Sequence, residues 1–126
     1  VVAAARQPLH GARTVPARLL GQPAAFPIGP YVLASLLGCP VYLMFCLRIG
    51  GRNRFIVEPF AERVAWRSRA DRESQIEQLA QRYASRVEYH LRMAPLQWFN
   101  FYPFWADAAH AGRASGAGRP PGMPDA

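Results

Sequence analysis

The chain contains no lysine: all 15 of its basic residues are arginine, set against only 8 acidic ones, for a formal net charge of +7 over 126 residues. Cysteine is nearly absent. Cys39 and Cys46 are too few for a disulfide scaffold, and their spacing fits neither a zinc ribbon nor a CxxC redox pair, so two buried thiols are expected. Phosphate-binding loops, dinucleotide-binding glycines, calcium-binding loops and HExxH zinc motifs are all missing. The histidines are His10, His90 and His110, and none has a carboxylate or metal-ligand partner at a useful spacing in the sequence. His90 reads as a helix-edge residue near the negative end of the helix dipole, His10 as a loop residue, and no metal is expected. No basic segment precedes an apolar one at the start, so Val1–Ala5 is not a signal peptide. Without an initiating Met, the chain reads as one entered inside a domain.

What is present restricts the class. Hydrophobic residues make up 51 % and charged residues 18 %, which excludes wholesale disorder and suits one domain with one apolar core. Arginine is the side chain for flat, bidentate contacts with phosphate and carboxylate, so the charge admits anionic partners. The arginines are scattered rather than set along one helix face, and no nucleic-acid partner is expected.

Val1–Ala5 suits a buried strand. Thr14–Leu20 reads as a second strand that Pro16 demotes to an edge, and Gly21-Gln22-Pro23 as a turn. No charged residue occurs from Leu19 through Leu47, a length that could span a bilayer, but Pro27, Gly29, Pro30, Gly38 and Pro40 break it. Pro30 fits the first turn of a helix over Tyr31–Leu37, which Gly38 ends. Val41–Leu47 is apolar throughout and reads as a strand covered on both faces, returning through Gly50-Gly51 to Phe55–Val57 as a hairpin. A membrane-spanning segment over Pro30–Leu47 is the competing reading. Between Asp71 and Pro95 the period becomes helical, with Ile76, Leu79, Ala80, Tyr83, Val87, Leu91 and Ala94 on one side. Residues 106–126 form a Gly-, Pro- and Ala-rich tail expected to be disordered, leaving 1–105 as the domain.

Three places could carry function. Phe26-Pro27-Ile28-Gly29-Pro30 leads into a helix N-terminus, whose free N–H groups favour phosphate or carboxylate; the alternative is an ordinary helix entry. Arg48, Arg52 and Arg54 flank the hairpin turn, either as a solvated turn or as a contact to anionic lipid or substrate phosphate. Trp98, Phe99, Phe101, Tyr102, Phe104 and Trp105 are either a core cap or an aromatic belt at a membrane interface or acyl-chain groove.

In order, FPIGP, a short helix, GCPVYLMFCLRIGGRNRFIVEPF, a helix with QRYASRVEYHL, and APLQWFNFYPFW resemble the C-terminal half of bacterial lipid A biosynthesis acyltransferases. These are lauroyl/myristoyl-type enzymes of the lysophospholipid-acyltransferase-like superfamily, and the likeness runs from about Val1 to Trp105. The resemblance implies an α/β fold, part of a mixed sheet flanked by helices and continued by a long amphipathic helix. It implies transfer of a fatty acyl group from acyl carrier protein or coenzyme A thioester to a lipid or glycolipid hydroxyl. The setting would be the cytoplasmic face of the bacterial inner membrane, with no bound cofactor. The family's base is a His in an H-x4-D/E motif, which this chain lacks and which is expected upstream of Val1. Arg6 and the segment Phe26, Pro27, Gly29, Pro30 would then form an acceptor or phosphate wall. The acid that commonly precedes that arginine is Ala5 here. The competing function is a non-catalytic membrane- or partner-binding module of the same fold.

Overall fold

The computed structural model describes residues 11–97. It is a small α/β domain with the order β1 (Thr14–Leu19), β2 (Gln22–Pro27), α1 (Gly29–Leu37), β3 (Val41–Ile49), β4 (Arg52–Ala61), α2 (Arg69–Met93), followed by a single 3-10 turn at Pro95–Gln97. Pairing among the described residues is antiparallel, in two separate two-stranded sheets, β1–β2 and β3–β4, and not in one mixed sheet. Each strand pairs with its hairpin neighbour, because the turns are too short for the crossover that parallel pairing needs.

The first hairpin corrects the expected turn at Gly21-Gln22-Pro23. The turn is Leu20-Gly21, both left-handed at φ 53° and 78°, and Gln22 and Pro23 already belong to β2. Two left-handed residues are what a tight two-residue hairpin requires, and leucine is an uncommon choice for one. Pro16 and Pro23 are tolerated because the sheet has only edges. The free edge of β1 is closed by a side chain: Gln81 of α2 accepts from the Arg18 N–H at 2.8 Å and donates to the Arg18 carbonyl at 3.1 Å. Gln97 does the same for the edge of β3, accepting from the Arg48 N–H at 2.6 Å and donating to its carbonyl. Two glutamine amides thus occupy edge groups that would otherwise invite pairing with another chain.

Helix α1 begins with Pro30 in its first turn and ends at Gly38, left-handed at φ 60°, as expected. Strand β3 then departs from the hydropathy reading. Leu43 and Leu47 are buried, but Tyr42, Met44 and Cys46 are exposed, so among the described residues β3 is well covered on one face only. Antiparallel sheets commonly pack one face on a core and leave the other open. Both cysteines are exposed, contrary to the buried thiols expected. No described helix is long and apolar enough to cross a membrane, and the Pro30–Leu47 span divides into helix and strand.

Helix α2 starts at Arg69, where Ser68 Oγ accepts from the Asp71 N–H at 3.2 Å and the Asp71 carboxylate accepts from the Arg67 N–H at 2.8 Å. It buries Ile76, Leu79, Ala80, Ala84 and Val87 in one core with Val15, Leu19 and Phe26 of the first hairpin and Leu43 and Phe60 of the second. The alanines at the contact let the helix lie close to the strands.

Candidate functional site

The sequence-predicted site residues separate in space. Phe26 is fully buried, its ring edge-on to Tyr83 at 5.9 Å, and Pro27 is buried at the end of β2. These two side chains pack into the core. Gly29 is exposed, its φ is ordinary, and a Cβ there would meet nothing within 4 Å, so no neighbour within the fold requires glycine. Pro30 faces a groove. Arg6, Trp98, Phe99, Phe101, Tyr102, Phe104 and Trp105 lie outside the described residues, as does the Val1–Ala5 strand.

The groove has a volume of about 420 Å³. Helix α1 contributes Pro30, Tyr31, Leu33 and Leu37 to one wall; β3 and β4 contribute Tyr42, Met44, Val57 and Phe60 to the other. Its lining is apolar, as a hydrocarbon ligand needs. Tyr31 is the exception. It is only 5 % exposed, its enclosed hydroxyl has no hydrogen-bond partner among the described residues, and burial, then Tyr83, raises its pKa well above the ordinary value. The hydroxyl is therefore a neutral donor. Leaving such a group unpaired inside a protein costs about 1–3 kcal/mol.

On the other side of the α1 entry is a cleft of about 150 Å³ lined by Arg13, Arg69, Arg72, Thr14, Ile28 and Glu73. Arg69 and Arg72 stand in the first turn of α2, where the dipole already favours anions, and Arg72 also lies over the Trp66 ring at 5.6 Å. The segment Ile28–Tyr31 thus separates a basic cleft from an apolar groove. Sequence reasoning singled out Arg48, Arg52 and Arg54 and missed this set, since Arg13 meets Arg69 and Arg72 only through the fold.

A third cluster also escaped the sequence. Glu58 of β4 accepts two hydrogen bonds from the Arg86 guanidinium, at 2.7 and 2.8 Å, and its other neighbour is His90 Nε2 at 3.5 Å. The Arg86 bonds hold the Glu58 carboxyl below its usual range. His90 is not the helix-edge residue expected: it is 3 % exposed, against the Phe45 ring at 4.1 Å, with neither nitrogen hydrogen-bonded among the described residues. An acid does approach a histidine, but the carboxylate is engaged by Arg86 and the imidazole is enclosed. The trio ties α2 to β4. Among the described residues, no group of three or more His, Cys, Asp or Glu side chains could hold a metal ion.

Comparison with protein-family models, with curated proteins and with solved structures finds no match to this chain.

Proposed function

We propose that this chain forms the lipid-binding part of an acyltransferase of the lipid A biosynthesis type. A fatty acyl chain would lie in the α1–β3–β4 groove and an anionic group in the Arg13–Arg69–Arg72 cleft. The observation that carries this is a largely apolar groove of about 420 Å³ between α1 and the β3–β4 hairpin. An acyl chain would fill the groove, and its carbonyl would accept from Tyr31, whose hydroxyl is enclosed in this structure and would meet the ligand through a small movement of the ring. In this reading the two hairpins and two helices are the described part of an α/β fold of the glycerolipid-acyltransferase type. The acyl donor is a carrier-protein or coenzyme A thioester and the acceptor a lipid or glycolipid hydroxyl, at the cytoplasmic face of the inner membrane.

The chain does not supply the chemistry alone. Attack of a hydroxyl on a thioester gains roughly 10²–10⁴-fold from a positioned base. No H-x4-D/E motif is present, and His90 is enclosed. The test is displacement of a fluorescent fatty acid from the purified 1–126 chain by lauroyl lysophosphatidate and by lauric acid. Both displace it, the phosphate-bearing lipid more strongly, and the difference disappears in R13Q/R69Q. Failure of either lipid to displace the probe refutes the groove. Turnover of lauroyl thioester onto a glycolipid by this chain alone refutes the division of labour.

A further inference from the structure

Next to the groove lies a side cavity of about 140 Å³, between α2 and the second half of β3. Along β3 the groove takes Val41 to Met44 and the side cavity takes Phe45 to Leu47, and Val87, Leu91 and Ala94 of α2 line the side cavity. Among the described residues, Tyr83 is the one residue common to the two linings, a helical turn before Val87 on the same face of α2. Its ring stands edge-on to the fully buried Phe26 at 5.9 Å, so the partition between the two spaces is anchored in the core. The side cavity suits hydrocarbon. Of its polar side chains, Gln97 is bonded to the Arg48 backbone, and the His90 nitrogens are enclosed.

We propose that Tyr83 makes the groove selective for unbranched acyl chains, by closing off the space that a branch beside the carbonyl would need. This deepens the acyl-binding reading, on which it rests, and in which the carbonyl lies at Tyr31. Tyr31 and Tyr83 line the groove together, and Tyr83 adds to the rise in the Tyr31 pKa, so the two side chains are near neighbours. The carbons next to the carbonyl therefore pass Tyr83. A substituent on them meets the ring, and only with the ring gone does it find the side cavity. Apolar sites discriminate by fit, and a single methylene too many or too few is worth roughly 10- to 200-fold.

Lauric acid and 2-butyloctanoic acid are isomers, one straight and one branched beside the carboxyl. Displacement of a fluorescent fatty acid from the 1–126 chain is measured with each, in the parent, Y83F, Y83L and Y83L/A94L, and every variant is checked by thermal melting. The parent favours lauric acid by at least about tenfold, and Y83F, which keeps the ring, keeps that preference. Y83L opens the side cavity, and each methylene of the branch that finds cover there contributes roughly a fourfold factor, so the preference falls below about threefold. Ala94→Leu fills the opened space and restores the preference in Y83L/A94L. Equal displacement by the two isomers in the parent overturns the proposal without any variant. So does an undiminished preference in folded Y83L, or its loss in Y83F. If neither acid displaces the probe, the acyl-binding reading falls and takes this inference with it. If lauric acid displaces the probe but the isomers are not told apart, the reading stands and the role of Tyr83 alone is refuted.

Discussion

Replacing Tyr31 by Phe should make the protein more stable and a poorer binder, two effects of opposite sign from one atom. The hydroxyl is buried and unpaired while its ring packs against the core. Removing an unsatisfied buried hydroxyl and keeping the ring relieves a penalty of about 1–3 kcal/mol and opens no cavity larger than the oxygen. Part of this is recovered in practice, so a gain of about 1 kcal/mol is expected, which for a domain of this size is roughly 4–8 °C in Tm. The same change removes the donor proposed for the acyl carbonyl. One neutral hydrogen bond is worth about 0.5–1.5 kcal/mol, so affinity for a fatty acyl ligand should fall roughly 3- to 10-fold. Thermal melting by circular dichroism gives the first quantity and fatty-acid displacement the second. A Y31F protein that melts lower than the parent would show that the hydroxyl is satisfied within the fold. One that melts higher but binds equally would show that the ligand does not use it.

Other outcomes follow from the packing. Phe26→Ala, at a fully buried ring, should cost about 3–5 kcal/mol in urea unfolding, and a cost below 1 kcal/mol would contradict its place in the core. Gly29→Ala should leave stability unchanged or raise it by about 0.4–1 kcal/mol, because φ is ordinary and the added Cβ meets open space; a clear loss would mean a contact there. The Glu58 carboxyl, lowered by Arg86, stabilises the fold fully above its ordinary value of 4.5, and that contribution is lost as pH falls through the lowered value. Urea midpoints between about pH 6 and 2.5 should therefore fall less steeply in Glu58→Gln than in the parent, and parallel profiles would refute the assignment.

What the sequence revealed follows the range of the forces involved. The α2 period, the Pro30 entry, the Gly38 exit and the Gly50-Gly51 hairpin are set by neighbours a few positions apart, and all are present. Strand β2 was hidden because Pro23 and Pro27 look like breakers and Leu20 does not look left-handed; a two-stranded sheet tolerates the first, and the hairpin imposes the second. The apolar run of β3 identified a strand but not how many of its faces are covered, since that depends on which elements pack against it. The Glu58–Arg86–His90 trio and the Arg13–Arg69–Arg72 cleft join residues far apart in the chain, and no local spacing marks them. The groove was legible in part. Pro30 was singled out, whereas Tyr31 gave no local sign of losing its partner.

In the proposed function a hydrocarbon chain occupies the space between α1 and the β3–β4 hairpin. A photoactivatable fatty acid carrying a diazirine near its terminal methyl is irradiated with the 1–126 chain and its attachment mapped by peptide mass spectrometry. Labels are expected on Leu33, Leu37, Tyr42 or Met44, competed away by unlabelled lauric acid and weakened in Y31F. Labelling spread over the surface without competition, or confined to residues outside that groove, would contradict it.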